Sequence, residues 1–206
     1  MCKERTCNVL KIIGLTGASG SGKGYVSAIF SKYAITSIDT DKVVHALYKK
    51  DDECKKELRE TFGEGIFNPY GSVCRTRLRK IVFSDAEKLK TLNSVVHKHV
   101  IRKCEEKIAQ ARKKGKAAIV IDAPLLYEAG MDKICDFVIA VVADIDIRRE
   151  RIAARDNISE SDIEKRMQNQ KDDSFFTEKA DYTLINNGET DVTSQIENIL
   201  ASEGLL

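Results

Sequence analysis

Short apolar runs alternate with longer amphipathic stretches along this chain. The apolar runs lie at residues 10–16, 35–38, 117–121, 137–142 and 182–185. Continuous apolar strands of this length are typical of a parallel sheet that helices cover on both faces. The longer stretches between them would supply right-handed crossover helices. The pattern therefore predicts an α/β fold: a doubly wound, mostly parallel five-stranded sheet.

Two polar, helical segments enlarge this basic alternation. Residues 42–116 separate the second and third predicted strands and contain turn clusters at 62–65 and 68–71. We expect this helical insertion to bind the substrate. Residues 146–179 are charged and precede the fifth strand, and we expect them to form a helical lid. The sequence shows no internal repeat, so residues 1–206 are predicted to form a single domain that carries both segments.

Composition and charge exclude several classes of protein. The net charge is +2, with 32% charged and 42% hydrophobic residues, so we expect a sizeable core and no nucleic-acid partner. The basic run at 112–116 is interpreted as cations at the end of a helix. No apolar stretch approaches the ~18–20 residues of a membrane-spanning helix, so no membrane partner is expected.

The cysteines and the first residues predict a cytoplasmic protein. The six cysteines, at positions 2, 7, 54, 74, 104 and 135, form no C-x-x-C pair and are interpreted as reduced thiols. The first ten residues are followed by no long apolar segment, so we expect no secretory signal. We further expect a monomer or a weak homo-oligomer.

The strongest motif is the glycine-rich segment at 17–23. It matches G-x-x-x-x-G-K, follows a predicted buried strand and opens a predicted helix, so the predicted sheet is of the P-loop NTPase type. Backbone N–H groups of such a loop surround a phosphate, and the helix N-terminus adds partial positive charge. Lys23 is expected to reach the β- and γ-phosphates of ATP. The residues predicted to bind the nucleotide here are Ser19, Gly20, Ser21, Gly22, Lys23, Gly24 and Tyr25.

Gly24 departs from this motif. A Ser or Thr normally follows the lysine, and its hydroxyl binds Mg²⁺. With glycine at this position, either water or another side chain would take that coordination site. The departure also leaves a nucleotide-binding protein without catalysis as an alternative.

Two acids follow the second predicted strand. Asp39 and Asp41 come where parallel strands end, the edge of the sheet at which ligands bind. One of the pair is predicted to orient an acceptor hydroxyl and take its proton, with Asp41 ahead of Asp39. The alternative is that Asp41 caps the helix that follows.

A third acid, Asp122, ends the third predicted strand. This is the position of a Walker B carboxylate, which organises Mg²⁺ directly or through water. The alternative is a loop aspartate that caps the following turn.

Motifs from about residue 11 to 200 resemble the dephospho-coenzyme A kinase family. The most specific are D-A-P-L-L-Y-E at 122–128 and the combination of A-D at 180–181 with N-N-G at 186–188. The remaining ones are G-L-T-G and G-S-G-K in the loop, D-T-D at 39–41, Arg75 with Leu78 and Val82-Phe83, Leu92-Asn93 with His97, and Arg166-Met167 with Gln170. The sequence departs from the family pattern at Gly24, at Cys74 and at Lys98.

The resemblance implies transfer of the γ-phosphate of ATP, with Mg²⁺, to the ribose 3′-hydroxyl of dephospho-coenzyme A. It makes Asp41 the base and Lys23 and Arg151 the other catalytic residues. It places Arg155, a second lid arginine, and Asn187 beside ATP. The residues that it assigns to the acceptor side are Asp39, Arg75, His97, Asp122 and Leu125.

Two other uses of a phosphate loop compete with this interpretation. A GTPase would carry D-x-x-G after the third strand and N-K-x-D later, and neither 122–125 nor 186–189 supplies these patterns. A nucleoside or nucleotide kinase shares the donor chemistry and differs in its acceptor pocket. It is therefore the nearer alternative.

Overall fold

The sheet confirms the predicted fold class. The structure, a computed structural model, describes residues 9–83 and 85–206. Its sheet is parallel, with strand order β2-β3-β1-β4-β5. The strands are β1 (Lys11–Thr16), β2 (Thr36–Asp39), β3 (Ala118–Asp122), β4 (Phe137–Val142) and β5 (Tyr182–Ile185). Each corresponds to one of the five apolar runs.

Helices fill the intervals between the strands. They are α1 (Lys23–Ile29), α2 (Thr40–Lys50), α3 (Asp52–Phe62), α4 (Arg75–Val82), α5 (Ala86–Lys113), α6 (Ile145–Asp156), α7 (Glu160–Gln168), α8 (Asp173–Thr177) and α9 (Val192–Ser202). Short 3-10 turns lie at Phe30–Tyr33, Glu64–Ile66 and Met131–Ile134. Arg112 and Lys113 lie in the last turn of α5, as the cation interpretation of the basic run predicted.

The register of the central strands places their carboxyl ends at one edge of the sheet. Leu15 of β1 pairs with Asp122 of β3, and Thr16 pairs with Ala140 of β4. Ile13 and Leu15 are fully buried, because helices cover both faces of the central strand. The loops that follow β1, β3 and β4 therefore leave the sheet at the same edge.

The described chain divides into two compact units. One comprises the chain up to Ile38 and from Ile108 onward, and it contains most of the sheet. The second is Asp39–Lys107, which is close to the predicted insertion 42–116. Its boundary at Lys107 falls inside α5. The substrate-binding role of this unit stays a prediction.

The second unit is helical and has its own buried residues. Leu47, Leu58 and Ile66 are almost fully buried. The turn at 68–71 is closed by Asn68, whose Oδ1 accepts hydrogen bonds from the backbone N–H groups of Tyr70 and Ser72, both at 3.0 Å. The turn cluster predicted there from sequence is therefore confirmed.

Two of the described cysteines are buried. Cys54 and Cys104 are buried thiols outside any disulfide, whereas Cys2 and Cys7 lie outside the described residues.

None of the helices in the described chain combines the length and the apolar character needed to cross a membrane.

Candidate active site

The glycine-rich loop joins β1 to α1, and Gly22 allows its final turn. Gly22 has φ 92° and ψ 24°, a left-handed conformation that glycine adopts without strain, and it is the N-cap of α1. A Cβ at this position would collide with Nδ2 of Asn186. That amide nitrogen donates a hydrogen bond to the backbone oxygen of Ser21 at 2.8 Å, and Asn186 is 4% exposed. The loop and the end of β5 are therefore packed without room for a larger residue.

Lys23 folds back across the loop. Its Nζ donates to the backbone oxygen of Gly17 at 2.7 Å. The ammonium group therefore lies beside the first residue of the loop, although Lys23 itself opens α1. This arrangement places a positive charge next to the backbone amides predicted to hold phosphate.

Gly24 is an ordinary helical residue with free space around it. It belongs to the first turn of α1, and a Cβ there would have no atom of the described residues within 4 Å. The next residue, Tyr25, is 59% exposed. The backbone of Gly24 is therefore not left-handed. The Tyr25 side chain does not pack into the space that a serine hydroxyl at position 24 would occupy.

Ser19, in the middle of the loop, is held by side chains from the predicted lid. Its backbone oxygen accepts a hydrogen bond from Arg148 Nε at 3.1 Å, and its backbone N–H donates to Gln170 Oε1 at 2.9 Å. Arg155 Nη2 lies 3.4 Å from Ser19 Oγ. Residues 146–179 therefore contact the phosphate loop in this structure, while their action as a lid stays a prediction.

Sequence reasoning selected Arg155 but missed Arg148 and Gln170. Arg148 is 7% exposed and forms an ion pair with Asp173 at 3.1 Å. A buried arginine in a basic helix carries no distinguishing signal in the sequence, because its neighbours Arg149 and Arg151 have the same character. Gln170 did carry a signal, since it belongs to the motifs of the family resemblance.

Arg151 binds backbone oxygens rather than a carboxylate. Its Nη1 donates to the backbone oxygens of Asn186 at 3.0 Å, Gly20 at 3.3 Å and Ser21 at 3.4 Å. One planar guanidinium thus joins two segments of loop backbone. The predicted residue lies at the phosphate loop, and its catalytic role stays a prediction.

Asp156 fixes the direction of Arg155. The carboxylate accepts two hydrogen bonds from Arg155, from Nε and Nη2, each at 2.8 Å, and is also paired with Arg166. The bonds from Arg155 hold the pKa of the Asp156 carboxyl far below its usual range; partial burial opposes this, and Arg166 adds to it. Arg155 is therefore oriented beside Ser19 by an ionised partner.

The segment after β3 presents both polar and apolar groups. Asp122 is half-buried at the end of the strand, and Leu125 is 47% exposed. The ring of Tyr127 packs edge-on against Phe175 with centroids 5.9 Å apart, and Lys179 Nζ lies 5.4 Å from the Tyr127 ring. Burial raises the pKa of the Tyr127 hydroxyl to about 12. This contact joins the segment after β3 to residues of the predicted lid.

Asn187 connects two loops at the same edge of the sheet. Its Oδ1 accepts a hydrogen bond from the backbone N–H of Asp144 at 2.9 Å, and its own backbone N–H donates to Thr190 Oγ1 at 3.2 Å. The residue therefore has a structural task in the loop after β5. Its predicted position beside ATP stays a prediction.

In the second unit, Asp39 rather than Asp41 caps α2. Asp39 has an extended backbone, and its Oδ1 accepts a hydrogen bond from the backbone N–H of Lys42 at 3.0 Å. The alternative that Asp41 is the N-cap is wrong, because the helix begins at Thr40 and Asp41 is already its second residue.

The two carboxyl groups therefore differ in their surroundings. Partial burial raises the pKa of Asp39, but the backbone N–H and the ammonium group of Lys42, 3.0 Å from Oδ2, outweigh it, so the pKa is lowered overall. Asp41 is exposed. Its carboxyl group is not needed to begin the helix.

The other two residues predicted for the acceptor lie on different helices of the second unit. Arg75 is the exposed first residue of α4, and His97 is a half-buried residue of α5. The structure thus places Asp39, Asp41, Arg75 and His97 in the second unit. The phosphate loop, Asp122, Leu125, Arg151, Arg155 and Asn187 lie in the first.

A cluster of acids with His99 in the second unit forms an ion-pair network. Side-chain ligand atoms of Asp51, Glu53 and His99 lie within 4.8 Å of one another. The guanidinium of Arg102 already lies 2.8 Å from Asp51 and 3.5 Å from Glu53. His99 Nε2 is 2.8 Å from Glu57. The negative charge is balanced by protein cations, so the cluster does not require a metal ion.

The sequence of this chain is similar to those of dephospho-CoA kinases. The sequence profile of the dephospho-CoA kinase family matches residues 11–191. A dephospho-CoA kinase of Fusobacterium nucleatum is 35% identical over 178 residues, which are 86% of this chain and 90% of the relative.

Solved structures share the fold. A protein of Thermus thermophilus superposes with a TM-score of 0.80 at 28% identity and covers 94% of this chain and 97% of its own. A dephospho-CoA kinase from Campylobacter jejuni superposes with a TM-score of 0.68 at 24% identity, covering 95% and 98%. On the family profile and the identity to a full-length relative, this chain belongs to the dephospho-CoA kinase family of ATP-dependent transferases.

Proposed function

We propose that the chain transfers the γ-phosphate of ATP to the ribose 3′-hydroxyl of dephospho-coenzyme A, the last step of coenzyme A synthesis. The observation that carries the proposal is the phosphate loop, with Lys23 folded over it and Arg151 bonded to its backbone oxygens. Family membership supports dephospho-coenzyme A as the acceptor.

The donor side would work by positioning and by charge. In phosphoryl transfer the protein does little covalent chemistry, and it stabilises the charge on the moving group. Lys23 provides an ammonium group at the start of the loop, and Arg155 provides a guanidinium beside Ser19. The Asp156 carboxylate holds Arg155 in place before the substrate arrives, which lowers the cost of ordering it.

The residues present fit a magnesium ion. Asp122 supplies a carboxylate oxygen, the type of ligand that Mg²⁺ prefers, at the end of β3. The open space around Gly24 leaves room for water in place of the usual hydroxyl. Asp122 would therefore hold the ion directly or through water. When bound, the ion neutralises charge on the phosphate oxygens.

Asp41 is the better of the two candidates for the base. Asp39 is committed to the start of α2 and to Lys42, and these contacts favour its ionised form but occupy its oxygens. Asp41 lies two residues further on, as the second residue of α2, and is exposed. It would accept the proton of the acceptor hydroxyl. Arg75 and His97 of the second unit and Leu125 after β3 would contact the acceptor.

An ADP-release assay with rival acceptors tests the proposal. We expect turnover with dephospho-coenzyme A and none above background with adenosine or AMP. Phosphorus NMR of the product should show a new 3′-phosphate monoester. Turnover with adenosine or AMP alone would instead assign the chain to the nucleoside or nucleotide kinases. ATP binding without turnover on any acceptor would indicate a non-catalytic nucleotide-binding protein.

A matched pair of variants controls this assay. Lys23→Ala should raise the activation free energy by the ~3–4 kcal/mol that one preorganised charge contributes. Turnover should therefore fall about 10²–10³-fold. Lys32→Ala, at an exposed position in the 3-10 turn after α1, should match the wild type. A folded Lys23→Ala protein that loses less than tenfold would contradict the role of Lys23.

The cytoplasmic location and the oligomeric state stay predictions. Buried thiols at Cys54 and Cys104, outside any disulfide, support a reducing compartment. Size-exclusion chromatography with light scattering would test the predicted monomer or weak homo-oligomer.

A further inference from the structure

Gln170 makes a contact that the proposed chemistry leaves unexplained. It lies in the bend between α7 and α8, and its Oε1 accepts a hydrogen bond from the backbone N–H of Ser19 at 2.9 Å. Ser19 belongs to the phosphate loop, whose N–H groups are the donors that bind phosphate oxygens. A neutral amide oxygen from the predicted lid thus occupies one of the donors that a nucleotide requires.

The contact of Lys23 indicates which phosphate the Ser19 N–H would meet. The backbone N–H groups of such a loop surround phosphate oxygens, and the loop lysine reaches the β- and γ-phosphates. In this structure Lys23 Nζ donates to Gly17 O at 2.7 Å, two residues before Ser19. The ammonium group that reaches the terminal phosphates thus lies close in sequence to the Ser19 N–H, which in the exchange described below would meet the γ-phosphate.

The charges around Ser19 favour an anionic acceptor over an amide. Arg148 Nε is 3.1 Å from Ser19 O, and Arg155 Nη2 is 3.4 Å from Ser19 Oγ. A hydrogen bond to an ionised acceptor is about twice as strong as one between neutral groups. A phosphate oxygen would therefore displace the Gln170 amide oxygen from the same donor.

Loss of the Gln170 bond would not release the whole segment from the loop. The Arg148 side chain is 8% exposed and joins Ser19 O to Asp173, at 3.1 Å in each case. These bonds use the backbone oxygen of Ser19, whereas Gln170 uses its N–H. Displacement of Gln170 from the Ser19 N–H therefore moves one side chain and leaves the bonds of Arg148 in place.

We propose that Gln170 is a positioning residue that holds the Ser19 N–H until the γ-phosphate of ATP displaces it, and that returns when the γ-phosphate has left. The exchange would couple the presence of a triphosphate, but not of a diphosphate, to the position of the Gln170 side chain. This inference rests on the proposed function, because it requires ATP in the loop.

Binding of a non-hydrolysable ATP analogue and of ADP, measured by calorimetry, tests the exchange. Gln170→Ala removes a competitor for the Ser19 N–H, so the analogue should bind about two- to tenfold more tightly, the value of one net hydrogen bond, while ADP binding stays unchanged. Gln170→Glu offers a charge-assisted acceptor that also repels the γ-phosphate, so the analogue should bind at least tenfold more weakly. Gln168→Ala, an exposed glutamine at the end of α7, should leave both affinities unchanged.

The opposite sign would overturn the proposal. If Gln170→Ala weakens the binding of the analogue and of ADP equally, Gln170 supports the structure of the loop and is not displaced by the γ-phosphate. In NMR spectra of the wild type, the Gln170 side-chain amide signal should shift with the analogue and stay in place with ADP; equal shifts with both nucleotides would also overturn it. These readouts need no acceptor, so failure of phosphoryl transfer with intact exchange would refute the proposed function alone. A wild type that binds no ATP analogue would refute both.

Discussion

The Asn186 side chain donates a hydrogen bond through Nδ2 to the backbone oxygen of Ser21 at 2.8 Å, across 165 positions of sequence. Asn186 also offers its backbone oxygen to Arg151 Nη1 at 3.0 Å. Because Asn186 is 4% exposed, no water replaces its amide group easily. The asparagine thus braces the phosphate loop from the end of β5.

We predict that Asn186→Asp weakens ATP binding and lowers stability. The carboxylate cannot donate to Ser21 O, which keeps only the longer bond from Arg151 at 3.4 Å, and loss of a good partner at a buried acceptor costs about 1–3 kcal/mol. Thermal unfolding and calorimetric titration with ATP measure the two effects. Asn198→Asp, on an exposed position of α9, is the matched control. Unchanged ATP affinity in the Asn186 variant would show that the loop holds its shape without this brace.

The two acids at the start of α2 should separate in their effects. Asp41→Asn should lower kcat about 10²–10⁴-fold with little change in ATP affinity, because the amide cannot accept the hydroxyl proton. Asp39→Asn keeps a good N-cap and removes the pairing with Lys42, so stability should change little. Steady-state kinetics of both variants decide the assignment. A larger loss of kcat at Asp39 would reverse the order of the pair.

Gly24→Ser should be tolerated and should restore the usual magnesium ligand. The backbone is helical there and a Cβ meets no described atom within 4 Å, so folding imposes no strain. Replacing glycine in a helix reduces the entropy of the unfolded chain, by ~0.4–1 kcal/mol in favourable cases. We expect unchanged or higher stability and magnesium binding that is equal or slightly tighter. The magnesium dependence of turnover measures this. A loss of activity above tenfold in a folded variant would show that the geometry of this loop differs from that of loops with serine.

Stability should fall in acid partly because of Asp156. Its pKa is lowered in the folded protein by Arg155 and Arg166, so it binds fewer protons than the unfolded chain does. The stabilisation is therefore complete above the unfolded carboxyl pKa of about 4 and is lost as pH falls below it. Asp156→Asn should flatten the change of melting temperature between about pH 5 and pH 2.5. Asp172→Asn, at an exposed position before α8, serves as the comparison. If the melting temperature falls equally with pH in the wild type and in the Asp156 variant, Asp156 does not contribute to the loss of stability in acid.

The start of α2 shows how far local sequence signals reach. Asp39 and Asp41 both fit an N-cap, since both are aspartates close to the first helical turn. The backbone conformation at Asp39 decides between them, and it is set where β2 leaves the sheet. The sequence therefore located the two aspartates, but it did not show which of them caps the helix.

The sequence by itself determined the five strands, their parallel arrangement and the phosphate loop. These features depend on local patterns: apolar runs that must be buried, and glycines at fixed spacing before a lysine. Only the tertiary structure decided which side chains hold that loop. Arg148, Gln170 and Asn186 reach it across 129, 151 and 165 positions. Gln170 and Asn186 belong to motifs of the family resemblance, but those motifs do not name the partners of these side chains. Hydrogen bonds between groups so far apart exist only after the sheet and its crossovers bring the segments together.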